Sequence, residues 1–335
     1  MNRMLETMVA RVALVIQMLF AAAAHAQPDP LPSWNDTPTK RAILEFVRVT
    51  TEAGSPQFAP TEERIATFDQ DGTLWVEQPM YPQITFALDM VVKLAPQRPR
   101  WRTTEPYKSI IAGNRSVATR FNWPALASVL SASEAGMTSD EYQALVREWL
   151  MTARHPRFQR PYTDLTYQPM QEVLRYLRAN GFKTYIVTGG GQEFVRVFAD
   201  GVYGIPREQI VGTVATTNFV YGKDGKGRLV NTDKTLLLDL NGGKPEGIAL
   251  MIGRRPLAEF GNSTGDREML EFTQAGDGAR LMVLVHHDDA VREYAYAAKS
   301  QIGTLSDALM SQARSKGWLV VSMRDDWKRI FAFDP

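Results

Sequence analysis

The chain contains no cysteine in its 335 residues. That excludes disulfides, thiol nucleophiles, thiolate zinc sites and iron–sulfur clusters, so stability has to come from a buried core. An excess of one charge is missing as well: 38 basic side chains stand against 37 acidic ones, a formal net charge of +1. This balance provides no electrostatic drive towards nucleic acid or an anionic membrane surface, and neither is expected as a partner. Past the N-terminus there is no apolar run long enough to span a bilayer. What is present is 44% hydrophobic and 22% charged residues, the ordinary make-up of a globular protein with a sizeable core. The length points to one large domain with an insertion, or to two domains.

The first 26 residues stand apart. Arg3 and Arg11 precede an apolar run from Val12 to Phe20, broken by Gln17, and Ala24-His25-Ala26 follows the small-x-small cleavage pattern. This reads as a secretory signal peptide cut after Ala26, since the run is too short and too interrupted for a membrane anchor. The expectation is a periplasmic or secreted protein without a stable membrane anchor. Cleavage removes Arg3, Glu6 and Arg11 and leaves basic and acidic residues equal in number.

The rest of the chain is organised around Phe68-Asp69-Gln70-Asp71-Gly72-Thr73-Leu74-Trp75. A short β-rich run, Arg64 to Thr67, delivers two carboxylates into a glycine turn. Residues i and i+2 of a strand share a side, so Asp69 and Asp71 can converge on one point. Two acids held that close need a cation or a shared proton. Before this turn, Thr37-Pro38 opens a helix as N-cap and first helical position, with Ile43, Phe46 and Val47 inward and a stop at Gly54. After it, residues 76–166 read as a mostly helical insertion. Thr138 to Glu141 is a capping box ahead of Tyr142, Leu145, Val146 and Trp149. Trp123-Pro124 begins another helix whose stripe, Leu126, Val129 and Leu130, reads as core.

From Pro169 onwards helix and strand alternate. Met170, Val173, Leu174 and Leu177 form a helical face, and Lys183 to Val187 a buried strand. Thr188-Gly189-Gly190-Gly191 leads into a helix carrying Phe194, Val195 and Phe198. Strands follow at Ile210 to Ala215, Leu257 to Phe260 and Leu281 to Val285, with a hairpin at Phe219 to Val230 and an edge strand at Leu319 to Ser322. Such alternation predicts an α/β fold: a Rossmann-like parallel sheet with helices on both faces and a helical insertion after the first strand. Asp325-Asp326-Trp327 reads as surface.

In open α/β sheets ligands bind beyond the carboxyl ends of the strands. The residues that follow the predicted strands are Asp69 and Asp71, then Thr188 with its glycines, then Asn262, Ser263 and Asp266, then His286, His287, Asp288 and Asp289. Lys244 lies between them, on a loop before a helix. Acids that hold Mg²⁺, a lysine and free N–H groups for phosphate oxygens, and a carboxylate able to attack phosphorus are the needs of phosphoryl transfer.

This pattern resembles the haloacid-dehalogenase-like hydrolase superfamily, and within it the phosphoserine-phosphatase-like branch. Four motifs stand in the right order between Ile65 and about His287: FDQDGTLW, IVTGG, the lysine of GGKPEGI, and GNSTGD. The resemblance implies an Asp69 nucleophile that forms an aspartyl-phosphate and contacts Mg²⁺. It implies Asp71 as general acid and base, with its backbone carbonyl on the metal and with crowding by Asp69 as one means of raising its pKa. Thr188 and the Gly189 N–H, taken to lie at a helix start, would bind phosphate, and Lys244 would neutralise Asp69 and phosphate. The last motif has Asn262 where an acid is usual, so the metal set implied is Asp69, Asp71, Asn262 and Asp266, the last directly or through water. Dehalogenases of the superfamily lack an acid at the Asp71 position because a halide leaves unprotonated, so the resemblance implies a phosphatase.

By the same resemblance, residues 76–166 form a cap over a core of 27–75 and 167–335, and the partner is a small phosphorylated substrate. A phosphotransferase using the same aspartyl-phosphate, or a non-catalytic periplasmic binding protein of the same fold, are the alternatives. His286 is read as structural or at the substrate rim. The N-terminus yields one direct prediction: protein recovered from outside the cytoplasm of a bacterial host will begin at Gln27. Intact Met1 on that protein would contradict the signal peptide.

Overall fold

The computed structural model describes residues 29–114 and 123–334; the expected signal peptide lies outside the described residues. One sheet is formed by β1 Ile65–Phe68, β2 Lys183–Gly191, β3 Ile210–Tyr221, β4 Gly227–Leu237, β5 Ala258–Gly261, β6 Leu281–His286 and β7 Leu319–Ser322. Its order is β4-β3-β2-β1-β5-β6-β7. Every neighbouring pair is parallel except β3 and β4, which are antiparallel. All of β1 and β5 and nearly all of β6 is buried, as strands covered on both faces require. From β1 the chain moves outward through β2 and β3, then returns to β5 on the other side. The sheet therefore changes direction at β1, and the carboxyl ends of β1, β2 and β5 open a crevice there.

The helices, in chain order, are α1 Pro38–Thr51, α2 Pro82–Leu94, α3 Tyr107–Ile111, α4 Trp123–Ala132, α5 Ser139–Thr152, α6 Gln168–Ala179, α7 Gln192–Val195, α8 Ala199–Tyr203, α9 Gly243–Gly247, α10 Arg267–Gln274, α11 Asp307–Lys316 and α12 Met323–Asp326. Thr37 caps α1 by accepting from the Lys40 N–H, with Pro38 inside the first turn. Thr138 and Glu141 form the reciprocal capping box of α5. Among the described residues no helix is long and apolar enough to cross a membrane.

Between β1 and α6 the described residues form helices and no strand, as expected. Helices α2, α3 and α4 enclose a small core of their own: Ile84, Ala87, Leu88, Val91, Ile110 and Val129. The other face of α2 joins the main core through Phe86, whose ring meets those of Tyr142, Trp149 and Phe194. So α2 has apolar residues on two sides and ties the helical segment to the sheet.

Three readings change. The hairpin is longer than expected, because β3 continues without a break from Ile210 to Tyr221 and pairs with β4 along its outer half. The helix after the glycines is split into α7 and α8. Asp325-Asp326-Trp327 is not all surface: Asp326 and Trp327 are buried. Asp326 accepts from the Ser322 N–H at 2.8 Å, and the Trp327 ring meets Trp34 edge-on at 5.9 Å and Tyr167 at 5.5 Å. The local polarity of two aspartates hid an aromatic side chain that pins the C-terminal segment to the N-terminal one. Trp327→Ala is expected to cost about 3–5 kcal/mol of stability, measured by denaturant unfolding; a loss below about 1 kcal/mol would show that this contact does not anchor the terminus.

Candidate active site

Strand β1 ends by feeding the Asp69 N–H to the Phe260 carbonyl of β5 at 2.8 Å. The next residues turn sharply, with Gly72 at φ +75° and its N–H on the Trp75 carbonyl at 2.8 Å. A Cβ at Gly72 would strike the Asn262 amide and the Glu77 carboxylate, so both the backbone conformation and the packing demand glycine. Trp75 is buried, stacks on Phe198 at 4.7 Å, and donates its indole N–H to Asp71 Oδ1 at 2.7 Å. A packed ring therefore sets the direction of that carboxylate. The His287 imidazole bridges the Gly72 carbonyl, 2.7 Å from Nε2, and the Glu293 carboxylate, 3.3 Å from Nδ1. His286 turns the other way, its Nδ1 3.7 Å from Asp288. His287 is thus the member of the pair that braces the turn.

Lys244 enters from the first turn of α9. Its ammonium donates to Asp69 Oδ1 at 2.6 Å, Asp266 Oδ1 at 2.5 Å and the Val187 carbonyl at 3.1 Å, which uses all three hydrogens. The side chain is 2% exposed, so Lys244 is a buried cation and not a solvated surface lysine. Asp266 is held on both oxygens. Its Oδ2 accepts from the N–H groups of Asn262 and Ser263 at 3.0 and 2.9 Å and from the Ser263 hydroxyl at 3.2 Å. Asp266, named from the sequence as a metal ligand directly or through water, holds Lys244 in place through Oδ1.

The electrostatics follow from burial. Burial would push the Lys244 ammonium down, but Asp266 and Asp69 outweigh it and hold the group above its ordinary value. Burial, then the Asp266 carboxylate, pushes Asp69 up, against the pull of Lys244. One cation is shared between two acids. Asp71 is pushed up to about 6, chiefly by burial, while the Trp75 N–H and Lys244 pull it down. Crowding by Asp69 was the expected cause; loss of solvent is the main one.

Thr188 lies at the C-terminal end of β2, where the ladder to β3 slips. Thr188 pairs with Gly212, the next pair is Gly191 with Thr213, and Gly189 and Gly190 bulge out between them. The Gly190 N–H donates to Thr188 Oγ1 at 3.1 Å, and the Gly191 N–H to Gln83 Oε1 of α2 at 2.6 Å. Gly189 was expected at a helix start, but it sits on this bulge, three residues before α7; glycine permits the bulge and a close approach of backbone.

These groups share one cavity of about 310 Å³. Asp69, Asp71, Thr188, Gly189, Lys244 and Asp266 line its floor, with Glu77 beside them. Tyr81, Gln83, Ile84, Leu126, Leu130 and Leu240 form the walls. Leu126 and Leu130, read from the sequence as core, pack partly buried against the helical core and also line the cavity, while Val129 of that stripe is fully buried. The sequence assigned no role to Trp75, Glu77 or His287. The first two stand within or just after the opening motif, and their chemistry shows only once the turn places them.

The sequence-derived ligand set raises the question of Mg²⁺. Among the described residues no three Asp, Glu, His or Cys side chains converge so as to hold a metal by themselves. Mg²⁺ commonly takes one or two carboxylates and keeps several waters, and the donors here are of that kind. Asp69 Oδ2 has no hydrogen bond among the described residues, and Asn262 Oδ1 has only a long one, 3.3 Å from the Thr73 hydroxyl. Asp69, Asp71, Glu77 and Asp266 surround the cavity, and Lys244 is the sole basic residue of its described lining. A hard cation suits that surplus of acid.

The haloacid dehalogenase-like hydrolase family matches residues 66–271, and the chain belongs to that family. No curated protein matches the sequence. In fold it is similar to a functionally unknown protein from Anaerococcus prevotii, at 15% identity over 84% of this chain and 91% of that one, TM-score 0.55. It is also similar to a protein of unknown function from Bordetella pertussis Tohama I (18%, 77% and 98%, TM-score 0.47) and to a phosphoserine phosphohydrolase-like protein from Francisella tularensis (14%, 77% and 94%, TM-score 0.38).

The raised pKa of Asp71 has a consequence for stability. The unfolded chain ionises this group near the ordinary carboxylate value, whereas the folded chain keeps the proton up to about pH 6. Between those limits the folded state binds more protons, so its stability falls as pH rises. In metal-free protein, Asp71→Asn is expected to flatten the fall in stability between about pH 4 and 6. Parallel profiles for parent and variant in urea titrations across that range would contradict the assignment.

Proposed function

We propose that this protein is a Mg²⁺-dependent phosphomonoester hydrolase working through an aspartyl-phosphate on Asp69. The observation that carries the reading is the buried Lys244 ammonium, held at 2.6 Å from Asp69 and 2.5 Å from Asp266 on the cavity floor, with Asp71 two residues away. Asp69 attacks phosphorus, the ester P–O bond breaks, and the departing alkoxide takes the proton of Asp71. Asp71, now ionised, removes a proton from water; the hydroxide attacks the phosphoryl group and Asp69 is released. An acid whose pKa lies near 6 suits both steps, since it can hold and accept a proton near neutral pH. Thr188 binds a phosphoryl oxygen, the buried Lys244 ammonium offsets the charge of Asp69 and the phosphate, and the bulged Gly189 offers its N–H at the same place.

A cation held by Asp69, the Asp71 carbonyl and Asn262 would supply the charge that keeps Asp69 ionised beside a phosphate dianion. Asp266 holds Lys244 and leaves those positions to the others. The helical segment 76–166 is proposed as the cap: Tyr81, Gln83, Ile84, Leu126 and Leu130 stand over the carboxylates and exclude water from the reacting centre. The substrate is a small phosphorylated metabolite, and the first 26 residues support a periplasmic or secreted setting for it.

Purified mature protein is expected to release inorganic phosphate from an aryl phosphate in the presence of Mg²⁺. Asp69→Asn should lower kcat by at least about a thousandfold while leaving the unfolding transition cooperative. Full activity in that variant would remove Asp69 as the nucleophile, and phosphate passed to added alcohols in place of water would mark a phosphotransferase.

A further inference from the structure

Glu77 is a carboxylate that the scheme above does not use. It stands just beyond the opening turn, is 1% exposed, and lines the cavity with Asp69 and Asp71. Its Oε1 accepts two hydrogen bonds, from Asn262 Nδ2 at 2.7 Å and from the Tyr296 hydroxyl at 2.6 Å. Two glycines make room for it: a Cβ at Gly72 or at Gly303 would collide with Glu77 Oε1. Among the described residues no Lys, Arg or His pairs with it. An acid buried without a basic partner, next to two others, is costly. Neutral packing would need neither the acid nor the two glycines.

The partner of Glu77 is the informative part. Asn262 is the position at which the sequence pattern leads one to expect an acid. An ionised aspartate there could not donate to Glu77; the two carboxylates would face each other across a hydrogen-bond distance and would have to share a proton. An amide can donate, and its donation fixes which way it points. With Nδ2 on Glu77, Asn262 turns Oδ1 towards the Thr73 hydroxyl. A carboxylate that accepts from an amide N–H also draws positive charge to that end of the group and makes its oxygen a better donor to a cation.

We propose that the acid missing from position 262 has been moved to position 77, and that Glu77 acts through Asn262 as the positioning residue of the cation site. Asn262 and Glu77 are a matched pair in which the amide at one position permits the acid at the other. This inference rests on the reading above only in taking Asp69, the Asp71 carbonyl and Asn262 as the cation site.

The test is an exchange of the two groups, read by calorimetric titration of the full mature chain with Mg²⁺ and no substrate. Glu77→Gln is expected to weaken Mg²⁺ binding about 10- to 100-fold. Asn262→Asp alone, which sets a second carboxylate against Glu77, is expected to bind no more tightly than the parent. The double variant Glu77→Gln, Asn262→Asp restores one acid and one amide in swapped places and should recover most of the parent affinity, a non-additivity that independent sites would not show. Unchanged affinity in Glu77→Gln, or tighter binding by Asn262→Asp with Glu77 in place, would overturn the proposal. Should Glu77→Gln fail to fold, the Asn262→Asp titration still decides. Phosphatase activity in a parent protein that binds no Mg²⁺ would overturn this inference and the Mg²⁺ dependence, and leave hydrolysis through Asp69 standing. The expected order of affinities without any hydrolysis would do the reverse.

Discussion

A buried ammonium shared by two carboxylates is the interaction on which the rest of the site depends. Lys244 spends its three hydrogens on Asp69, Asp266 and a main-chain carbonyl of β2, so it links α9, β2 and the ends of β1 and β5. Removing one partner of such a set leaves an uncompensated buried charge, at a cost of several kcal/mol. The arrangement is nevertheless not neutral. Its one cation serves two acids, with Asp71 and Glu77 close by, and burial, with this excess of negative charge behind it, pushes Asp69 up. A site meant only to be stable would have no reason to keep it.

The sheet explains why these groups meet. The strand order turns at β1, so the loop after that strand lies between the ends of β2 and β5. Thr188 arrives from one side, and Asn262 with Asp266 from the other. The bulge at Gly189 and Gly190 lowers backbone into the space between. The helical segment closes the opening with an apolar wall built from α2 and α4. Because α2 also packs Phe86 into the main core, that wall is tied to the sheet on one side while α3 and α4 hold it from the other.

Much of this was legible in the sequence, and the reasons for what was not are physical. Buried parallel strands such as Ile65–Phe68 and Leu281–His286 announce themselves as apolar runs, and the Thr138–Glu141 capping box is a local signal that survives folding unchanged. The groups that bear chemistry were found because they follow strands. What escaped depended on partners distant in sequence. Glu77 matters because Asn262 lies 185 residues further on in the chain, and His287 because Gly72 comes 215 residues earlier. Asp266 kept its place in the motif, but its two oxygens were taken by Lys244 and by its own loop. Leu126 and Leu130 show the limit of periodicity: the helical stripe announced a packed face, and only the fold shows that the edge of that face also lines a cavity.

The central claim is that Asp69 becomes phosphorylated during turnover. The most direct measurement is mass spectrometry of protein quenched in acid while it is turning over a phosphomonoester with Mg²⁺, followed by peptide mapping. The account predicts one added phosphoryl group on the peptide that contains Asp69, absent when Mg²⁺ or substrate is withheld. Turnover with the Asp69 peptide unmodified under conditions that preserve acyl phosphates, or a phosphoryl group located on another residue, would contradict it.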